Sequence, residues 1–368
     1  MKRNALCLLA ALGLVTWNSV AEAQSVSDSK DKEHQEKSET KPDSKFTWAG
    51  RVFVRHSLTR KKVGGTIFLR NQQSIDSARF GFKFKHKSGL RAVIKVEASG
   101  SKASVRDAYI RLPLSDDIRI IAGRQKRPMS GIALAGKWDL PTIERGLLTD
   151  LELPFVGGRQ QGVVVEYRLP VAMKPSVSIA AFQAEDVLEI DPSTTLDSSE
   201  HFTQDLFLRA SLRPVKSLLV SSTLAWIGYQ KVRTDGDSYR HSPLASLELE
   251  FQNKRVRFWL EGFTGRNISP VLDGPTFGHF WAVRSIIAPR FRPGTPRRLV
   301  PYLGISHYDP RISDSDDSNT EGQLGMTLGF SKLWRLQFEL SHVFAGGIAS
   351  SAIEGTAFRI QLGAKFKE

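Results

Sequence analysis

The sequence predicts an all-β fold: a transmembrane antiparallel β-barrel of about 16 strands with one long loop folded into its lumen. Three observations predict it. From Ser77 to Glu97, Phe80, Phe82 and Phe84 alternate with Arg79, Lys83 and Lys85; past a Ser-Gly turn, Leu90, Ala92, Ile94 and Val96 alternate with Arg91, Lys95 and Glu97. A period of two is the mark of a β-hairpin, here with one apolar and one cationic face. The pattern recurs to the C-terminus, and beyond the first residues no apolar run is long enough for a membrane helix. Finally, long and short connections alternate, as they do when loops occupy one rim of a barrel and tight turns the other.

The elements follow in order. Residues 1–23 read as a cleaved secretory signal: Lys2 and Arg3, an apolar run from about Ala5 to Trp17, then Ala21-Glu22-Ala23. The one cysteine, Cys7, lies within it, so disulfide and thiol chemistry are not expected of the mature chain. Residues 24–45 are nearly all charged or small and polar, and read as a disordered periplasmic extension. The barrel is expected to occupy 46–368. Alternation and turn residues place strands near 46–58, 78–86, 90–97, 104–112, 118–125, 159–169, 175–185, 202–212, 218–229, 243–252, 255–264, 277–288, 299–308, 321–330, 333–344 and 356–366. The expected connection after the first strand is 19 residues long and that after the fifth, 126–158, is 33.

A charged side chain facing hydrocarbon near the midplane costs roughly 2–4 kcal/mol. The residues out of phase with the apolar series are therefore assigned to the lumen: Arg51, Arg55, Arg79, Lys83, Lys85, Arg91, Lys95, Arg111 and Arg119 in the first five strands, then Arg209, Arg255, Arg257, Arg335 and Arg359. Charge is unevenly spread. Residues 46–127 hold 19 Lys and Arg against 5 Asp and Glu, whereas 128–368 hold 26 of each. In an exported β protein this points to the handling of small anions and away from nucleic acid. Anionic lipid headgroups or lipopolysaccharide outside the barrel account for part of the basic surplus.

The 126–158 connection is too long for an ordinary loop and too apolar to be simply solvated, so it is expected to narrow the lumen. Its constriction candidates are Lys126, Arg127, Lys137, Asp139, Glu144 and Arg145. A structural role for Asp139, Glu144 and Arg145, pinning the loop to the wall, is an equally good reading. Gly131 to Lys137, GIALAGK, has the spacing of a phosphate-binding P-loop, but Trp138 stands where Ser or Thr must meet Mg²⁺. No HExxH or GxSxG motif occurs, and the acidic 309–320 loop, with Asp314, Asp316, Asp317 and Asn319, reads as solvated sooner than as a Ca²⁺ site. No catalytic residue, cofactor or metal is expected.

Three motifs in order, AGRQKRP (Ala122 to Pro128), WDLPTIERG (Trp138 to Gly146) and GGRQQGVVVEY (Gly157 to Tyr167), resemble the phosphate-selective porin O and P family. WAGRV (Trp48 to Val52), VRDAYI (Val105 to Ile110) and YLGISHYDP (Tyr302 to Pro310) add to the likeness, which spans 46–368 and is sparse between about 185 and 295. The resemblance implies a 16-stranded, usually trimeric bacterial outer-membrane porin, with an arginine ladder and a lysine-rich constriction for phosphate or related oxyanions. It matches Lys126, Asp139, Glu144, Arg145 and Arg159 to family motif positions. Arg124 stands where the family has Gln, Gln160 where it has Asp, and the chain ends Phe366-Lys367-Glu368 instead of on an aromatic. A general porin for other solutes is the alternative reading, and a barrel enzyme a weaker one.

Overall fold

The computed structural model describes residues 43–63, 66–100, 102–148, 156, 158–183, 204–231, 238–266, 279–292, 297–310, 318–345 and 354–367. The expected signal segment, most of the 24–45 extension and Asp314, Asp316 and Asp317 lie outside them. Sixteen strands run in sequence order: β1 (Ser44–Val63), β2 (Thr66–His86), β3 (Arg91–Ser99), β4 (Lys102–Pro113), β5 (Ile118–Lys126), β6 (Arg159–Arg168), β7 (Ser176–Gln183), β8 (Gln204–Val215), β9 (Leu218–Lys231), β10 (Ser238–Gln252), β11 (Val256–Arg266), β12 (His279–Pro289), β13 (Arg298–Asp309), β14 (Asn319–Gly329), β15 (Trp334–Ala345) and β16 (Glu354–Lys367). Each pairs antiparallel with its neighbours, and β16 returns to β1 from Ala49↔Lys367 to Lys62↔Glu354. The sheet is therefore a closed barrel without an edge along its membrane-spanning wall.

Alternation sets the two faces. Ile94, Ile110, Ile179, Leu247, Leu303, Ile305, Leu324 and Leu340 stay exposed although large and apolar, whereas their strand neighbours are buried or half-buried. Such a belt of outward apolar residues is stable only against lipid. The Ser88-Gly89 turn forms as expected: Gly89 takes φ 86° and its N–H donates to the His86 carbonyl at 3.0 Å.

One expectation fails at the other rim. The 19-residue connection expected after the first strand is itself strand: β1 and β2 continue as a ribbon until Val63 faces Thr66. A bulge between Phe53 and Val54 shifts the ribbon's register. Ser44 and Lys45, assigned to the extension, already belong to β1. The alternation test missed the ribbon because Arg60 to Lys62 and Thr66 to Leu69 are exposed on both faces. A strand with no buried face carries no period-two signal.

The lumen is not open throughout, nor uniformly polar. The segment after β5 turns inward, forms a short helix, α1 (Gly131–Leu134), capped by Ser130, and packs Met129, Ala133, Leu147, Leu148 and Val156 against Phe182, Phe207, Phe263 and Phe280. These four phenylalanines alternate with exposed residues such as Leu206 and Trp281, so they belong to the inner face. An apolar core thus occupies the β7 to β12 side of the barrel. Within β5, Gly123 has a φ of 120°, and a Cβ there would lie 2.3 Å from the Ala108 carbonyl oxygen, so this strand position requires glycine.

Candidate functional site

A buried segment with little secondary structure must find partners for its backbone N–H and C=O groups. Here the inner face of β8 to β16 supplies them. Carboxylates receive the N–H groups: Ile132 N donates to Glu261 at 2.8 Å, Ile143 N to Glu339 at 2.8 Å and Leu147 N to Glu321 at 2.6 Å. Arginines and polar side chains serve the carbonyls. Arg284 donates to Arg145 O at 2.6 Å, Arg335 to Trp138 O at 2.7 Å and Lys137 O at 2.9 Å, Arg257 to Asp139 O at 2.9 Å, and Gln337 and Thr327 to Pro141 O, each at 2.9 Å.

The same charges pair with one another. Arg209 and Glu248 form a two-pronged contact with both bonds 2.7 Å, Arg284 lies 2.5 Å from Glu261, and Arg359 lies 3.0 Å from Glu339. The equal acid and base counts of the C-terminal part therefore describe a clamp for the inserted segment.

The opposite wall is different. Cross-strand register places Lys45 beside Lys85, Lys85 beside Arg91, and Arg91 beside Arg111, a row of four cations across β1 to β4 near the short-turn rim. Among the described residues none of the four makes an ion pair. Like charges directly opposite on neighbouring strands are destabilising. Three of them, Lys45, Lys85 and Arg111, border a cavity of about 830 Å³ between this wall and the loop. Its lining holds Lys45, Arg51, Arg79, Lys83, Lys85, Lys95, Arg111, Lys126, Arg159 and Lys365 against two carboxylates, Asp107 and Asp139.

Two wall carboxylates hold the deeper cations in place. Glu97 receives Arg79 at 2.5 Å and Arg106 at 2.6 Å, while Asp107 receives Lys95 and Arg159, each at 2.7 Å. Among the described residues Arg51 makes no ion pair, and its buried Nε has no hydrogen-bond partner. Lys45, Lys85 and Arg111, which line the cavity, likewise make no ion pair among the described residues.

Of the residues expected from sequence, Arg51, Arg79, Lys83, Lys85, Lys95, Arg111, Lys126, Asp139 and Arg159 come together around the cavity. The others do not line it, each for an identifiable reason. Arg55 is drawn into pairs with Asp76 and Glu144, and Arg119 into a fork with Glu166 at 3.0 and 2.5 Å. Arg91 closes the basic row outside the cavity lining. Arg124 bonds the Val105 carbonyl at 3.0 Å, Arg127 is buried 3.3 Å from Asp205, and Lys137 pairs with Asp76. Arg145 holds the loop to itself through the carbonyls of Ile132 and Ala135. Glu144 pins the loop to Arg55 on β1.

Lys126 lines the cavity but is not a free cation. Its Nζ donates to the carbonyls of Ala133, Leu134 and Ala135 at 2.5, 2.8 and 2.9 Å, which accounts for all three of its protons and caps the end of α1. Sequence reasoning missed Lys45, Asp107, Tyr109, Gln125 and Lys365. The signal for Lys365 was present, since it is out of phase with Phe358, Ile360 and Leu362. Asp107 stands within the VRDAYI motif.

Burial alone would raise the Glu144 carboxyl, but Arg55, Lys137 and Arg359 outweigh it and hold the group below the usual carboxylate value. A depressed value stabilises the folded state above the ordinary carboxylate range, near roughly pH 4.3, and the contribution is lost only as pH falls through the lower folded value. The single-channel conductance is accordingly expected to hold steady from neutral pH to about pH 5 and to become larger or noisy only in stronger acid. A step in conductance between pH 7 and 5 that Glu144→Gln abolishes would contradict this anchoring role.

The closed 16-strand antiparallel barrel with an inward segment defines the class: it is the fold of outer-membrane porin channels. No protein-family profile matches the chain, and no curated protein matches it in sequence. Solved structures do. The outer membrane channel DcaP of Acinetobacter baumannii superposes with a TM-score of 0.62 at 13% identity, covering 88% of this chain and 97% of that one. The anion-selective porin from Comamonas acidovorans gives a TM-score of 0.57 at 14% identity, covering 88% of this chain and 100% of that one. OmpT of Vibrio cholerae in its trimer form gives 0.57 at 12% identity, with coverage of 88% and 100%. At such identities the likeness is one of fold.

Proposed function

We propose that this chain is a bacterial outer-membrane porin through which small inorganic anions diffuse passively along the β1 to β6 wall. One observation carries the reading: ten cations against two carboxylates around a single cavity, while the charges of the other wall are consumed in holding the loop. Arginine and lysine on the wall replace part of the hydration of a passing anion, and several moderate sites in series avoid trapping it. The motifs shared with the phosphate-selective porin O and P family support phosphate or a related oxyanion as the preferred solute. The trimer form of the Vibrio cholerae neighbour supports a homotrimer. The apolar belt suits outer-membrane lipid, and basic ribbon residues such as Arg60, Lys61 and Arg70 suit lipopolysaccharide at the loop rim. Residues 1–23 serve as the export signal in this scheme.

Reversal potentials of the purified channel in a KCl gradient test the proposal. Anion preference is expected; cation preference, or none, would overturn it. Phosphate selectivity is tested separately, by asking whether sub-millimolar phosphate blocks chloride current and whether Arg51→Gln weakens that block. Absence of block leaves a general anion porin as the better description.

A further inference from the structure

Asp76 holds an inward position that a regular strand would not give it. Phe53 faces Ser77 across the β1–β2 ribbon but Val54 faces Ile75, so Asp76 is the extra residue of the bulge. Residues two apart share a face in an unbroken strand; here Ser77 is buried, at 3% exposure, while Ile75 lies 53% exposed on the lipid side. The bulge thus gives β2 one additional side chain toward the lumen, the kind of re-aiming for which bulges are kept. The Ser99 hydroxyl donates to the Asp76 carbonyl at 2.8 Å and ties the bulge to β3. The Asp76 carboxylate pairs with Arg55 of β1 and with Lys137 of the loop, and Arg55 pairs in turn with Glu144. Wall and loop are therefore joined by four groups of alternating sign, in the order Glu144, Arg55, Asp76, Lys137.

The consequence is electrical as well as mechanical. The 126–158 loop has two lysines, Lys126 and Lys137, and the first gives its protons to backbone carbonyls. Among the described residues the carboxylate partner of Lys137 is Asp76, and the two side chains are only 14% and 12% exposed. The chain neighbours of Lys137, Gly136 and Trp138, line the cavity, as does Arg51 on the same face of β1 as Arg55, yet neither Lys137 nor Arg55 does. Both cations stand beside the anion path without entering it. Released into it, they would deepen the binding of a passing ion, whereas conduction requires that the ion can leave. Resting on the anion-channel reading above, we infer that Asp76 is a selectivity-determining residue: it withdraws Arg55 and Lys137 from the path and so limits how strongly the channel prefers anions.

The test reads reversal potentials of single channels in a KCl gradient. Asp76→Asn keeps the shape of the side chain and removes its charge; the chloride-to-potassium permeability ratio is expected to rise severalfold. Arg55 retains Glu144 in that variant, so Lys137 carries the shift, and adding Lys137→Gln is expected to return the ratio close to the wild-type value. Lys137→Gln alone should leave the ratio near wild type, because its charge is already met. Larger or noisier current steps in Asp76→Asn without a rise in the ratio would reduce Asp76 to a loop anchor and overturn the inference, as would a rise that survives Lys137→Gln. A fall in anion preference in Lys137→Gln alone would overturn it too, and that result can be read even if Asp76→Asn does not assemble. A wild-type channel that prefers cations would instead sink the anion-channel reading itself.

Discussion

Replacing Glu261 by alanine is expected to cost the folded barrel about 3–5 kcal/mol, the usual penalty for breaking a buried ion pair from one side, and to widen the bore. Glu261 is 1% exposed and does three things at once. It pairs with Arg284 at 2.5 Å, accepts the Ser130 hydroxyl at 3.0 Å and accepts the Ile132 N–H at 2.8 Å. Removing the carboxylate deprives Arg284 of that partner and detaches the capped start of α1 from β11. Thermal unfolding in detergent, followed by loss of β circular dichroism, should show the lowered stability, and single channels should show larger, less steady current steps. Glu261→Gln keeps an acceptor for Ile132 N but not the charge, so an intermediate phenotype is expected. Wild-type conductance in Glu261→Ala would show that the segment is held elsewhere.

The second large effect belongs to the opposite wall. Reversing Arg51, Lys85 and Arg111 together to glutamate should turn the channel from anion-preferring to cation-preferring. Among the described residues none of the three shares an ion pair that the substitution would break, so the barrel should still assemble. The field in a narrow, low-dielectric passage follows its few unpaired charges, and local ion concentration changes by about tenfold or more when their sign changes. The shift should shrink as salt rises and the Debye length falls below roughly 8 Å. By contrast, Arg209→Ala removes a charge already met by Glu248, and it should lower stability while leaving the reversal potential near its wild-type value. If the triple variant keeps anion preference, the conducting path lies elsewhere.

Much of the barrel was legible in the sequence because lipid enforces a strict period of two. Phe80, Phe82, Ile94 and Leu340 had no other place to go, and the weakest expected strand, near 277–288, is β12 within two residues. The ribbon of β1 and β2 was not legible, since beyond the bilayer neither face is selected for apolarity. Within the site, alternation located Arg51, Lys83 and Arg111 but was blind to partners. Arg55 and Arg79 looked alike in sequence; one is consumed by Asp76 and Glu144, and the other, though paired with Glu97, still borders the cavity. Lys126 showed the limit most clearly, because a match to a motif position says nothing about where three ammonium protons point.

The way the inserted segment is held also dictates when it can be held. Beyond the first helical turn its backbone relies on distant partners: Ile143 bonds a residue 196 positions away, and Lys137 accepts from one 198 positions away. Contacts of such separation form late, because the chain between them must first be ordered. Until β11 to β16 have joined the sheet and closed it on β1, the residues that receive the segment are not in place. The channel's diameter is therefore decided at the last step of assembly, and a barrel that closes imperfectly would leak before it would fall apart.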